Sequence, residues 1–452
     1  MRALALGLLL LASPFATGAD LLAAYEAARE SDPQLRLADS ARLAEGEGVV
    51  QARAALLPQL AASASLMRSS SEGELAAGGR FESSSRSRDY GISLQQLVYD
   101  HAALARLRAA RASASRAEAE YEAARNGLLL RVAERYFEVL TAVETLLSAR
   151  AEERAVGRQL EQAEQRFAVG LTAITDVHEA RARFDAARAA AIAAANALDD
   201  AREALAELTG RDFEDLAALA GDLPELRPDP EEMEAWVRLA EEASPTLRAR
   251  RLAVEAGEEG VAAARGGHYP TLSLGASWQD DRTLRGQMGP FRPSATESDG
   301  ITLQLRIPIF EGFAVQSRVR QSLHRLDQAR DQLEADRRAI LRQTRNAYRA
   351  VIAGASEVEA RRQALVSARS ALEATQAGFE VGTRTIVDVL LSQQQLFAAQ
   401  REYARARHNL LLNHLRLKTS AGVIAREDLE AFNRLLTRRI RLERLEDEPP
   451  AP

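Results

Sequence analysis

The chain has 452 residues, no cysteine, a net charge of −6 and only 5% aromatic residues. The lack of cysteine excludes disulfides, thiolate metal sites, thiol nucleophiles and an N-terminal lipidated cysteine. Ala, Leu, Glu, Arg and Gln dominate the composition. This is typical of long helices and coiled coils rather than of a large enzyme core, and the interleaving of Arg with Glu argues against nucleic-acid binding.

The N-terminus has the pattern of a cleavable secretory signal that covers residues 1–19. Arg2 supplies the charge, residues 3–12 form the apolar stretch, and Thr17-Gly18-Ala19 is a small-residue cleavage site. The apolar stretch is much shorter than the roughly 20 residues that a membrane-spanning helix needs. We therefore expect an exported protein that starts near Asp20 and has no transmembrane helix.

The chain repeats itself with an offset of about 212 residues, the difference between Asp388 and Asp176. QRFAVGLTAITDV at 165–177 returns as AGFEVGTRTIVDV at 377–389. Such register indicates a tandem duplication. The first repeat covers residues 20–222 and the second 232–422, with a Pro-rich linker at 223–231. Residues 423–452 form a C-terminal segment whose acidic, Pro-rich end is expected to be disordered.

Each repeat has the same predicted order of elements. In the first, a helix over 20–56 precedes a β-hairpin over 59–99. Within that hairpin, residues 59–67 alternate, 68–88 read as a polar loop, and alternation resumes at Tyr90. A long helix over 100–168 and a returning helix over 172–209 follow. The second repeat has a hairpin over 270–310, a long helix over 312–378 and a returning helix over 384–420.

The alternating segments place apolar residues on one face and small polar residues on the other. The second hairpin shows this most clearly. Its apolar positions are Leu272, Leu274, Ala276 and Trp278, then Ile301, Leu303, Leu305 and Ile307. Two soluble hairpins would fit this pattern, and so would strands of a transmembrane barrel, which alternate apolar-out and polar-in. Four strands are too few to close a barrel, so in the second case several chains must share it.

The long helices contain neither Pro nor a loop-like cluster. Roughly 65–70 residues at about 1.5 Å per residue reach about 100 Å. Their apolar positions recur every three or four residues, a spacing typical of helix-on-helix packing. Each long helix ends at a Val-Gly pair, at Gly170 and Gly382, where glycine relieves the strain of a helix-ending turn.

Taken together, these features resemble the TolC family of outer-membrane efflux and secretion ducts, over residues 20–440. The repeated motifs around Val169-Gly170 and Val381-Gly382 resemble the family's hallmark turns, and GHYPTL at 267–272 resembles its entry into the second hairpin. The resemblance implies a mostly α-helical homotrimer. Its helices would form an antiparallel coiled-coil α-barrel through the periplasm, and its strands would pool into one β-barrel in the outer-membrane lipid of a Gram-negative bacterium.

The resemblance also implies partners and a function. The duct would be passive, and its closed tip would meet a periplasmic adaptor and an inner-membrane transporter of the RND, ABC or MFS type, for drug efflux, type I secretion or both. No cofactor is implied. The tip residues expected to contact the adaptor are Gly170, Leu171, Thr172, Gly382 and Thr383.

The family's gate residues can be placed by motif. Arg384 would reach Thr175 and Asp176 of a neighbouring chain, a charge-assisted contact, and Asp388 would line an acidic constriction. The alternative is that these residues only solvate helix ends, because Asp is favoured in a first helical turn. Two departures stand out. Phe379 replaces a Tyr that bonds the turn Asp, and Leu391 replaces a second Asp, so a looser gate and a less acidic ring are expected.

No motif indicates an enzyme or a metal site. The six His are scattered, and the Glu-rich stretches read as solvated helix faces. Two rival interpretations are a general porin and a periplasmic coiled-coil adaptor or scaffold. A porin builds its whole barrel from one chain, which four strands cannot do. A soluble adaptor has no use for four strands that each carry a lipid-compatible face.

Overall fold

The computed structural model describes residues 20–74, 78–221, 223–224, 226–287 and 295–442. The predicted signal segment and the acidic tail lie outside them. The helices are α1 Leu21–Ser31, α2 Pro33–Ala54, α3 His101–Ala168, α4 Ile174–Thr209, α5 Met233–Ala243, α6 Pro245–Arg265, α7 Ala314–Glu380, α8 Ile386–Ser420 and α9 Arg426–Asn433. The strands are β1 Gln59–Glu74, β2 Arg80–Tyr99, β3 Asp215–Leu219, β4 Thr271–Gln287, β5 Ala295–Arg306 and β6 Leu436–Arg441.

The chain divides into two compact units. The sheet unit comprises residues 38–121 and 246–336, and the helical unit comprises the other described residues. Both long helices, α3 and α7, continue from one unit into the other. Within the described residues, no helix combines the length and the apolar character needed to cross a bilayer.

The sheet unit contains one antiparallel sheet in the order β1-β2-β4-β5. Its register aligns Leu60 with Leu94, Ala276 with Leu94, and Ala276 with Ile301. Residues directly opposite each other lie on the same face of a sheet, so the apolar positions of all four strands share one face. That face is uncovered: Ile301 is 81% exposed and Leu60 73%. Ser63, Gly91, Ser277 and Gly300 are on the opposite face.

The prediction of a polar loop over 68–88 is wrong. β1 continues to Glu74 and β2 begins at Arg80, with an unbroken ladder between them. In this stretch both faces are polar, so the hydrophobic period that reveals a strand is absent. The backbone hydrogen bonds between β1 and β2 form all the same, because they do not depend on the polarity of the side chains.

The second hairpin also differs from the prediction. Its first strand, β4, is longer than the alternation indicated, but β5 ends at Arg306, because Pro308 has no N–H to donate to a ladder. Ile307 is therefore not in the strand.

The single helix predicted over 20–56 is also wrong. It is broken at Asp32, which has extended backbone angles because Pro33 follows it. The Asp32 side chain accepts from the backbone N–H groups of Gln34 and Leu35, so it caps α2. It also accepts from Arg131 Nη2 at 2.5 Å. The second repeat breaks in the same way at Ser244-Pro245, between α5 and α6.

The helical unit contains a small sheet that the sequence did not predict. β3 pairs with β6, and α9 precedes β6. Tyr136 of α3 is fully buried, and its hydroxyl donates to the Ala217 carbonyl at 2.7 Å and accepts from the Ala217 N–H at 3.0 Å. Burial raises the pKa of Tyr136. The phenol therefore stays neutral and fixes the sheet to α3.

A buried histidine, His408 of α8, makes the helical unit sensitive to acid. The hydroxyl of Thr141 donates to the Phe137 carbonyl, so Nδ1 of His408, 2.8 Å away, must donate to that hydroxyl. Burial, followed by the charges of Arg407 and Arg438, lowers the pKa of His408 to about 3. The folded protein thus favours the neutral ring.

We expect the stability of the helical unit to fall as the pH drops from about 6.5 towards about 3, because the unfolded chain takes up the proton first. The limiting slope for one histidine is about 1.4 kcal/mol per pH unit. Unfolding midpoints in detergent between pH 7 and pH 4 should show a flatter profile for His408→Asn. Some dependence should remain, because burial also lowers the pKa of His414. The exposed His324→Asn is the control and should leave the profile unchanged; an unchanged profile in His408→Asn would contradict the assignment.

Candidate functional site

The first candidate gate element is the turn between α3 and α4. Gly170 has a φ of +75°, which L side chains rarely adopt, and the Leu171 N–H donates to the Arg166 carbonyl at 2.8 Å. The N-cap residue of α4, Ala173, supplies no side-chain cap. Instead, the Thr172 hydroxyl donates to the Asp176 carboxylate. This places Asp176, half-buried, against the turn that precedes its own helix.

The second element is the equivalent turn between α7 and α8, and it is capped differently. Gly382 has a φ of +81°, and the Thr383 N–H donates to the Gly378 carbonyl at 2.8 Å. Thr385 and Asp388 form a capping box. The Asp388 N–H donates to the Thr385 hydroxyl at 3.3 Å, and the Asp388 carboxylate accepts from the Thr385 N–H at 2.9 Å.

The capping box fixes the charge of Asp388. The hydrogen bond from the Thr385 backbone, then that from its hydroxyl, and last the charge of Arg384 lower the pKa of Asp388. The carboxylate is therefore ionised at neutral pH, as a charged ring at a constriction requires. One of its oxygens is already engaged by Thr385, which holds the side chain close to its own helix end.

The two turns share a core. Val156 of α3, Val177 of α4, and Ile386 and Leu390 of α8 form one buried cluster, with Phe379 of α7 packed against it. The Arg166 guanidinium lies 4.8 Å from the centre of the Phe379 ring, a cation–π contact. The sequence analysis considered Phe379 only because it lacks the hydroxyl of a tyrosine. It did not predict the role of Arg166, although the repeat offset aligns Arg166 with Gly378 and so marks a position where the two turns differ.

The predicted gate residues are not brought together within one chain. Arg384 is exposed, and its aliphatic stem covers Gly378, where a Cβ would lie only 2.7 Å from Arg384 Cγ. In the part of the chain that the structure describes, Arg384 forms no ion pair, and no hydrogen bond joins it to Thr175 or Asp176. Thr175 is exposed as well. The guanidinium of Arg384 is therefore accessible to an acceptor from outside the chain.

The tip also exposes apolar side chains. Leu171 is 75% exposed, and the flanking Val169 and Val381 are similarly accessible. The other predicted tip residues, Gly170, Thr172, Gly382 and Thr383, lie in the same two turns. Among the described residues no group of His, Asp and Glu could hold a metal ion. The site is thus built from two glycine-containing turns, an ionised carboxylate, an accessible guanidinium and an apolar tip.

Comparison with known proteins agrees with this architecture. The model of the family described as "Outer membrane efflux protein" matches residues 24–211 and 236–423, one match in each repeat. The chain belongs to the outer membrane efflux protein family. It is 35% identical over 415 residues to the outer membrane protein TolC of Vibrio cholerae, covering 90% of this chain and 92% of that one. It is 32% identical over 432 residues to the alkaline protease secretion protein AprF of Pseudomonas aeruginosa, covering 94% and 88%.

Among solved structures, the CmeC outer membrane channel of Campylobacter jejuni has the same fold. The TM-score is 0.77 at 16% identity, covering 92% of this chain and 89% of that one. The predicted fold class, outer-membrane location and role as an efflux or secretion duct are thereby confirmed at the level of the outer membrane efflux protein family. That family consists of ducts rather than enzymes.

The capping box yields a local test. Thr385→Ala removes the hydroxyl that accepts from the Asp388 N–H, and loss of an N-cap side chain costs about 1 kcal/mol. Hydrogen exchange at the first amides of α8 should therefore be about fivefold faster. Thr375→Ala is the control, because it also removes a hydroxyl near this turn, but that hydroxyl donates to the Ala371 carbonyl within α7 and accepts from Ser392, and it bonds no amide of the first turn of α8. Equal exchange in Thr385→Ala and the unchanged protein would show that the cap does not hold this turn.

Proposed function

We propose that three copies of this chain form a passive outer-membrane duct, which a periplasmic adaptor and an inner-membrane transporter open from below. The observation that carries this proposal is the pair of unpaired sheet edges. In the described part of the chain, β1 and β5 each pair on one side only. Edges of this length, next to an uncovered apolar face, need strands from another chain.

The same sheet supports a particular mode of closure. β5 of one copy would pair with β1 of the next, and three copies of four strands would give a 12-stranded barrel. Its uncovered apolar face would contact lipid, and the face with Ser63, Gly91 and Gly300 would line the lumen. An even number of antiparallel strands and a polar interior are the rule for outer-membrane barrels.

The gate would be formed between copies. Arg384 has an accessible guanidinium and no ion pair in the described part of its own chain, while Thr175 and Asp176 lie on the other turn. Arg384 would therefore bond Thr175 and Asp176 of the neighbouring copy, and three ionised Asp388 carboxylates would surround the axis and favour cations. The alternative, mere solvation of helix ends, needs no approach of Arg384 to a second chain.

The tip residues would recognise the adaptor. Gly170, Leu171, Thr172, Gly382 and Thr383 lie beside the exposed Val169 and Val381, and an apolar patch of this kind marks an interaction surface. The similarity to AprF, a protein named for the secretion of alkaline protease, supports type I secretion as one role. The match to the family described as "Outer membrane efflux protein" supports efflux as the other.

The gate proposal is tested by conductance in a planar bilayer. Arg384→Ser removes a charge-assisted bond worth roughly 1.5–3 kcal/mol from each of three interfaces, so the resting conductance should rise at least about twofold. The control is Arg361→Ser, because Arg361 pairs with Glu357 and Glu402 in its own chain. A conductance of Arg384→Ser equal to that of the control would leave only the helix-end interpretation.

A further inference from the structure

Four arginines lie above the apolar part of the sheet, on its apolar face. They are Arg68 of β1, Arg86 and Arg88 of β2, and Arg282 of β4, and we name them the outer arginine patch. Each is an even number of residues from an apolar position on its own strand, so its Cβ points to the same face. The hairpin ends above them are the ends farthest along the strands from the helices.

The register places these like charges directly opposite each other. Arg68 faces Arg86, and in the next row Arg88 faces Arg282. Like charges at directly opposed positions destabilise a sheet unless something lies between them. A bound anion would therefore stabilise these two adjacent rows.

The nearby carboxylates neutralise only part of the patch. Asp280 accepts from Arg282 Nε at 3.1 Å, and Glu297 is engaged by the Trp278 indole N–H. Arg88 stacks on the Tyr90 ring at 5.2 Å, and its Nε is buried without a hydrogen-bond partner. In the described residues, Arg68, Arg86 and Arg88 form no ion pair. Three guanidinium groups are thus left for an outside acceptor.

The distance of the patch from the helix-proximal end of the sheet matches the height of the apolar band of an outer-membrane barrel. Arg282 lies ten residues beyond Leu272 on β4. At about 3.4 Å per residue this is about 34 Å along the strand, and a barrel tilt of about 35–45° reduces it to about 25 Å, which is the height of the apolar band of an outer-membrane barrel. The patch therefore lies where the outer leaflet changes from acyl chains to headgroups.

We propose that the outer arginine patch binds the phosphate groups of the phosphorylated glycolipid of the outer leaflet. The proposal rests on the barrel of the proposed function. Arginine suits this role, because its planar fork binds phosphate through two hydrogen bonds, and it is less strongly hydrated than lysine. The acyl chains of the same lipid would cover the apolar rows with Leu66 and Ile92. Each trimer would carry three such sites and would be held at a fixed height in the asymmetric membrane.

The test is an equilibrium titration of the trimer extracted in detergent, with three probes. These are lipid A with both phosphates, the same glycolipid with its phosphates removed, and inorganic phosphate. The variant is Arg86→Gln with Arg88→Gln. The control is Arg306→Gln, since Arg306 is on the opposite face at the helix-proximal end of the sheet. We expect saturable binding of diphosphorylated lipid A only, weakened at least about tenfold in the double variant and unchanged in the control.

Several results would overturn the proposal. Equal affinity for the dephosphorylated glycolipid would show that only the acyl chains bind. This comparison is made on the unchanged protein and does not depend on the folding of a variant. Comparable binding of inorganic phosphate would indicate a free-anion site instead. Full affinity in the double variant would exclude the arginines. If no trimer forms in detergent, the proposed function fails; if the trimer forms but does not bind lipid A, only this proposal fails.

Discussion

An antiparallel sheet that faces lipid must pair every backbone N–H and C=O group, because the bilayer core has no water to satisfy them. The described part of this chain contains a sheet of four strands, whose edge strands β1 and β5 have unpaired backbone groups and whose apolar face is uncovered. One copy alone can satisfy neither the edges nor the face. In the proposed duct, assembly is therefore a condition of folding in the membrane.

The helices follow from the same constraint. α3 begins directly after β2, and α7 begins a few residues after β5, so each hairpin continues into one long helix. Those helices end at Gly170 and Gly382, where the chain turns back. In the proposed duct, the number of copies that closes the barrel is also the number of gate turns around the axis. A shared barrel would then bring with it a shared gate, in which Arg384 would find its partner on a neighbouring copy.

The duplicated chain also shows how two copies of one sequence diverge. The first turn uses the Thr172 hydroxyl to bond Asp176, whereas the second uses a capping box of Thr385 and Asp388. The offset pairs Thr172 with Arg384. The second turn therefore has an exposed charged side chain where the first has a capping hydroxyl, and in the second turn Thr385 supplies the capping hydroxyl instead. The two turns each carry an Asp carboxylate at the equivalent position, but the second adds a guanidinium donor, Arg384, where the first has Thr172.

Much of the fold could be predicted from the sequence, because its signals are periodic. Apolar residues recur every three or four positions over many turns of the long helices, and apolar and polar residues alternate strictly in the parts of the strands nearest the helices. The prediction failed where the period disappears. Residues 68–88 are polar on both faces, and the helix over 20–56 is periodic across a break that Asp32 and Pro33 cause by local geometry. β3 and β6 are too short, and too far apart in sequence, for their pairing to be predicted.

The candidate site was predictable only by motif. Thr175, Asp176, Arg384 and Asp388 came from the repeated turns, but the structure does not bring Arg384 to Thr175 or Asp176 within one chain, so their proposed contact concerns a second chain. Arg166 could not be assigned a role from the sequence, because a cation–π contact with Phe379 depends on two helices that meet only in the folded chain.

The most direct test of the shared barrel uses the absence of cysteine from this chain. Two cysteines are introduced, at Ala62 in β1 and at Ile301 in β5, and are joined in native outer membranes by a thiol cross-linker of about 10 Å, which spans neighbouring strands even where the two residues are not directly opposite. The account predicts a ladder of one, two and three chains on denaturing gels and nothing larger. A matched pair at Ile92 and Trp278, opposite each other in one sheet, should give single chains only. Cross-linking of Ala62→Cys to Ile301→Cys within a single chain would contradict the account, because that chain would then close its own sheet.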